Sequence, residues 1–161
     1  MGKVVMTRVD ARLIHGQVAA RWTNHLNATK IVVIDDDTAK DKLLIELFRV
    51  AAPMGTNVRV YSIDQGIAAW QKDEFGAGKI IVIFKTVDTA ALAYEKGFHF
   101  KSVNIGQSPK REDRKNVYNS VHLSADELLK LKELTERGVD VYFHSTPDDR
   151  KASFSEIAAK M

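Results

Sequence analysis

A histidine followed by glycine closes the stretch Arg8-Val9-Asp10-Ala11-Arg12-Leu13-Ile14-His15-Gly16-Gln17-Val18, where an apolar run gives way to helical periodicity. The start of a helix has unpaired backbone N–H groups and the positive end of its dipole, and both favour an anion there. Neutral imidazole is a competent covalent nucleophile, attacking through one ring nitrogen while the N–H of the other is held by an acceptor. The spacing therefore nominates His15 as acceptor of a phosphoryl group and Gly16 as the opening for its oxygens. Arg8 and Arg12 are the cations that neutralise them, and Asp10 is a candidate acceptor for the ring N–H. The same residues also read as an ordinary solvated strand-to-helix loop, so this chemistry depends on the elements that position them.

Those elements are bounded by composition. A chain of 161 residues, 45% hydrophobic and 28% charged, has the make-up of one globular domain over 1–161, large enough for a layered core. No apolar run approaches the ~20 residues of a membrane span, and the first residues lack the apolar centre of a signal peptide, so a cytoplasmic location is expected. Cysteine is absent, which excludes disulfides, thiolate nucleophiles and zinc–thiolate sites. A net charge of +3 suits an anionic surface or an acidic partner and is too weak to imply nucleic acid.

Residues 4–9 form a first strand, and Val18, Trp22 and His25 or Leu26 give a first helix ending near Asn27. Residues 30–35 are β-branched without polar alternation, as in a parallel strand covered on both faces. Leu43, Leu47, Val50 and Ala51 recur at helical spacing and predict the buried stripe of a second helix that stops before Pro53. Strands follow at 57–61, 79–84, 101–106, 119–123 and 139–144, alternating with helices opened by the capping boxes at Ser62, Ser124 and Ser153. Only 107–119, with Pro109 and the charge run 110–115, breaks the alternation and reads as a surface excursion. The pattern predicts an α/β fold with an open, mainly parallel seven-stranded sheet and helices on both faces. Such sheets bind ligands outside the carboxyl ends of their strands, which adds Asp35, Asp36, Asp37, Ser62, Lys85 and Gly106 as candidate lining. For the aspartates and Ser62, helix capping is the competing role.

The whole chain resembles the IIB component of the mannose/fructose/sorbose family of bacterial phosphoenolpyruvate-dependent sugar phosphotransferase systems. The block around His15 carries most of the likeness. Weaker similar blocks are Ala39-Lys40-Asp41, Ala51-Ala52-Pro53, Phe84-Lys85-Thr86, Asn104-Ile105-Gly106 and Gly138-Val139-Asp140-Val141. The resemblance implies that His15 accepts phosphate, on the ring nitrogen nearer the backbone, from a phosphohistidine of a IIA partner. It implies onward transfer to a sugar held by the membrane components IIC and IID, at the inner face of the cell membrane. One departure stands out: after Gly106 the family often continues with a second glycine and a methionine, where this chain has Gln107, Ser108 and Pro109.

The chemistry is consistent with that implication. Phosphoryl transfer has a loose transition state with charge on three equatorial oxygens, so positioning and positive charge suffice, and Arg12, Lys85 and Arg8 suit that need without metal or cofactor. Two rivals differ in class. A histidine phosphatase carries an arginine-histidine-glycine triplet, but here Ile14 stands in the arginine position. A regulatory or nucleotide-binding module would use residues 35–37 for a ribose or metal, but no glycine-rich phosphate loop follows the first strand.

Overall fold

Strands rich in β-branched residues without polar alternation are stable only where both faces are covered, and the computed structural model, which describes residues 2–160, buries them that way. In chain order the elements are β1 (Lys3–Asp10), α1 (Gly16–Leu26), β2 (Lys30–Ile34), α2 (Asp36–Ala39), α3 (Lys42–Ala51), β3 (Asn57–Tyr61), α4 (Ile63–Asp73), β4 (Lys79–Phe84), α5 (Val87–Glu95), β5 (Ser102–Gln107), β6 (Lys115–Tyr118), β7 (Val121–Leu123), α6 (Ala125–Glu136), β8 (Asp140–Phe143), β9 (Ala152–Ser153) and α7 (Phe154–Ala159). Seven strands form one sheet in the order β3-β2-β4-β1-β5-β8-β9, parallel except for the last pair. Among the described residues no helix is long and apolar enough to cross a membrane.

Each face of the sheet has its own core. On one, Ala19 and Trp22 of α1, Leu13 and Ile14 before it, and Phe48 of α3 pack on Met6, Ile31, Val33 and Ile81. On the other, α4, α5, α6 and α7 bury Ile67, Ala90, Leu131 and Ile157 against Val32, Val82, Val103 and Ile105. The chain leaving β1 thus crosses to the face covered by α1, whereas the chain leaving β4 and β5 goes to the other face, covered by α5 and α6. The carboxyl end of β1 is the switch in strand order, and Asp10, His15 and Gly16 follow from it.

The predicted capping boxes at Ser62, Ser124 and Ser153 all form. Three expectations need correction. Residues 119–123 do not join the main sheet: β7 pairs antiparallel with β6 in a separate hairpin, and the seventh place is taken by the two-residue β9. A short extra helix, α2, precedes α3. In α3, Leu43, Leu47 and Val50 face solvent, and it is Phe48, with half-buried Leu44, that packs inward.

The charge run at 110–115 is exposed at every position but Arg114, which ties the excursion down. Arg114 lies buried and bidentate on Glu127, Nε to Oε1 and Nη2 to Oε2 both at 2.9 Å, with Nη1 donating to the carbonyl of Pro109 at 3.1 Å. Glu127 Oε1 also accepts the Ser124 N–H at 2.9 Å, so one carboxylate both closes the cap of α6 and fastens the hairpin excursion to it. Paired on both oxygens, the two charges can be buried together.

Candidate active site

The chain leaves β1 through a turn in which the Leu13 N–H donates to the carbonyl of Asp10 at 2.9 Å and Leu13 itself sits at φ 59°. A branched residue in the left-handed region is strained and persists only where its surroundings hold it. Here both Leu13 and Ile14 are buried in the core beneath α1. Two apolar anchors in succession leave His15 exposed at the N-cap of α1, with extended backbone and its carbonyl accepting from Ala19 N–H at 2.8 Å. The His15 side chain makes no capping bond, and the first turn of α1 carries no acidic residue. The leading N–H groups of the helix therefore lack an intrahelical partner next to an uncommitted imidazole.

Behind this loop Asp10 is a hub. Its Oδ1 accepts from the backbone N–H and the Nε of Arg12, both at 3.0 Å, and its Oδ2 from Arg12 Nη2 at 2.9 Å and Arg8 Nη2 at 3.1 Å. With each oxygen accepting twice, the carboxylate has no capacity left for the His15 ring, so its place is that of loop organiser rather than ring acceptor. Arg12 is one-third exposed, and two of its N–H groups are spent on Asp10. Its remaining N–H groups are available to an oxyanion at the loop, held in a fixed plane by the bidentate pair.

Arg8 lies elsewhere than its spacing suggested. Its side chain is 2% exposed, and besides Asp10 it donates from Nη1 to the carbonyl of His144 and from Nη2 to that of Ser145, both at 2.9 Å. Trp22 closes the same cluster: its Nε1 donates to the Ser145 carbonyl at 3.0 Å, and the Arg8 guanidinium stands 5.4 Å from its ring centre. Burial pulls the Arg8 pKa down from its ordinary value while Asp10 opposes the shift, and arginine remains charged. Arg8 thus acts beneath the loop, as a cross-link between the end of β1 and the segment after β8. Periodicity places Trp22 on the first helix but not in this cluster, because carbonyls have no residue signature and the contacts of Arg8 join positions 136 and 137 residues apart.

The cross-link explains Gly106. β5 slips register against β1 between Val9 and Asp10, and a Cβ on Gly106 would fall 2.1 Å from Arg8 Cζ. Because three acceptors hold that guanidinium, it cannot step aside. Gly106→Ala is expected to cost about 1–3 kcal/mol by overpacking, measured as a lowered denaturant midpoint. An unchanged midpoint would show that Arg8 has room to move.

The other strand-end candidates divide. Lys85 is exposed directly after β4, and since Val9 lies opposite Phe84, it stands level with Asp10 on the neighbouring strand. Gly16 is exposed at the first helical position. Ser62 caps α4, Asp35 Oδ2 accepts from the N–H and hydroxyl of Thr38, and Asp36 accepts the Ile63 N–H at 2.8 Å. Asp35 and Asp36 thus serve as cap and brace, Asp37 is exposed in the first turn of α2, and among the described residues no group of three or more metal-ligating side chains gathers there. Arg12→Lys is expected to slow phosphoryl transfer about ten-fold or more, because lysine brings a point charge where the guanidinium offers planar donors. The melting temperature should fall by no more than about 2–4 °C, since a partly exposed pair contributes at most ~1 kcal/mol. An unaltered transfer rate would remove Arg12 from the site.

The chain can now be set beside known proteins. The profile of the family described as "PTS system sorbose subfamily IIB component" matches residues 4–161. A crystal structure of manxB from Thermoanaerobacter tengcongensis superposes with TM-score 0.93 at 37% identity, covering 99% of this chain and 97% of that one. The N-acetylgalactosamine-specific phosphotransferase enzyme IIB component 1 of Escherichia coli (strain K12) is 32% identical over 149 residues, 92% of this chain and 94% of its own length. The PTS system mannose-specific EIIAB component of the same strain is 28% identical over 156 residues, and the chain spans about half of that relative, 48% of its length. With the family match running over residues 4–161 and the structural match over 99% of the chain, the chain belongs to the sorbose-subfamily IIB components of the phosphotransferase system.

Proposed function

We propose that the chain is a phosphocarrier whose His15 takes a phosphoryl group from a phosphohistidine on a IIA protein and passes it to a sugar held by membrane IIC and IID components. It would do so as one domain over residues 1–161, at the cytoplasmic face of the membrane, without metal or cofactor. The observation that carries this reading is the exposed, uncapped imidazole at the head of α1, next to N–H groups without intrahelical partners and a first turn free of carboxylates. In the accepting step the lone pair of one His15 ring nitrogen forms the new N–P bond as the donor's N–P bond breaks. The donor ring, protonated on its other nitrogen, leaves with the electron pair as neutral imidazole, while His15 keeps the N–H of its own second nitrogen. Arg12 and Lys85 face the charge on the three equatorial oxygens, while Asp10 and Arg8 keep the loop in place. The helix end contributes ~0.3–1 kcal/mol at an exposed position, a modest stabilisation suited to a group that must be passed on.

The test follows labelled phosphate from a phosphorylated IIA protein onto this chain and, once vesicles bearing IIC and IID are added, into sugar. Label reaching sugar only when this chain is present is the expected result. Catalytic release of inorganic phosphate from a small ester, with no label passed on, would point instead to a phosphatase.

A further inference from the structure

The apolar period that predicts the second helix is real, yet its residues have no partner inside the chain. Among the described residues the exposed large apolar side chains are Leu43, Leu47, Val50, Met54, Leu92 and Leu129, and four of these six lie on α3 and the turn after it. Leu43 is 72% exposed, Leu47 55% and Val50 84%, while Leu44 and Phe48 already supply the helix with its core contact. The spacing of 43, 47 and 50 puts three of them on one side of the helix, the arrangement of a helix laid into a groove, and Met54 follows in the exposed turn beyond its carboxyl end. Scattered exposed apolar residues are ordinary, but an aligned stripe marks a contact surface.

The stripe is continuous with the site. The carboxyl end of α3 abuts the start of α1: a Cβ on Gly16 would lie 3.8 Å from the carbonyl oxygen of Ala51. A specific protein interface covers about 800 Å² on each partner, a disc of radius about 16 Å, and α3 from Leu43 to Val50 is only about 10 Å long. A protein centred on His15 with an interface of that size therefore reaches the carboxyl end of α3, where Val50 and Met54 are exposed. We propose that Leu43, Leu47, Val50 and Met54 form the docking anchor for the protein that donates phosphate to His15, an inference that rests on the phosphocarrier reading above. The donor is favoured over the acceptor by geometry. Transfer between two protein-borne histidines brings the surrounding surfaces together with only a phosphoryl group between the rings, whereas a sugar acceptor interposes its own bulk. Lys40 and Lys42 are the exposed cations beside the stripe, Asp41 is committed to capping α3, and Arg49 and Glu46 pair with each other. The matching surface is an apolar groove with an acidic rim.

Leu47→Glu and Val50→Glu, made separately, test this with a phosphorylated IIA protein as donor. Phosphoramidate, a small donor that needs no docking surface, serves as the second probe. The expected result is a rise of at least ten-fold in KM for the protein donor, with kcat, melting temperature and labelling by phosphoramidate unchanged. An unchanged KM overturns the proposal. Loss of phosphoramidate labelling overturns it too, because the stripe would then be supporting the loop. Normal acceptance with impaired delivery to sugar assigns the stripe to the membrane partner, and a wild-type dimer that the variants split assigns it to a second copy of the chain; either outcome overturns the donor assignment. If the wild type takes no phosphate from the protein donor at all, it is the phosphocarrier reading that fails.

Discussion

Arg8→Met is expected to destabilise the chain by about 3–5 kcal/mol, a large part of the ~5–15 kcal/mol that holds a domain of this size together. Methionine keeps an unbranched apolar stem and removes the guanidinium with its charge. Asp10 would stay buried with Arg12 as its only cation, and the carbonyls of His144 and Ser145 would lose the guanidinium that both now share. The Ser145 carbonyl would keep Trp22 and Asp10 would keep Arg12, but the His144 carbonyl would lose its side-chain donor and the buried carboxylate one of its two cations, so the loss exceeds the worth of any one hydrogen bond. Urea unfolding should show a much lower midpoint at an unchanged slope. Arg8→Lys should lie between the two, since one ammonium keeps the charge but cannot reproduce the flat fork toward three acceptors. A loss below ~1 kcal/mol for Arg8→Met would mean that the cross-link between β1 and the segment after β8 is slack.

His15→Ala is expected to abolish phosphate acceptance altogether while leaving stability within about 0.5 kcal/mol of the wild type. The two halves of this expectation have separate causes. The ring supplies the only nucleophile at the head of α1, so no partial activity survives its removal. Its side chain also caps nothing and is exposed, so the fold loses no bond with it. Alanine leaves the anchors Leu13 and Ile14 in place, and the loop keeps its path. Thermal unfolding and transfer from a phosphorylated IIA protein, measured on the same preparation, separate the two effects. A large drop in melting temperature would show that the imidazole holds the loop together.

The sheet was legible because its strands are written in residues that suit only a position covered on both faces. Ile31, Val32, Val33 and Ile34 form the plainest such run, and all are buried. The helix starts were legible because a serine followed three residues later by glutamine or glutamate satisfies two backbone donors at once. The phase of α3 was not, since Leu43, Leu47 and Val50 make as regular a stripe as Leu44 and Phe48, and period alone does not say which side meets the core. The short β7 and β9 carry too few residues for a period. At the site, sequence order gathered His15, Gly16, Asp10 and Arg12 into one loop. It could not tell that Arg8, two residues before Asp10, turns inward. Strand alternation put its side chain on the same face as Met6 and Asp10, and only the fold brings two distant carbonyls to meet it.

The central claim is that His15 is the phosphoryl acceptor. It is tested most directly by incubating the chain with a phosphorylated IIA protein, weighing it intact, and mapping the modification under conditions that spare acid-labile phosphate. The account predicts the mass of one added phosphoryl group, lost on acid treatment and located on the peptide that contains His15. An acid-stable phosphate, or an acid-labile one mapping to His25, His99, His122 or His144, would contradict it.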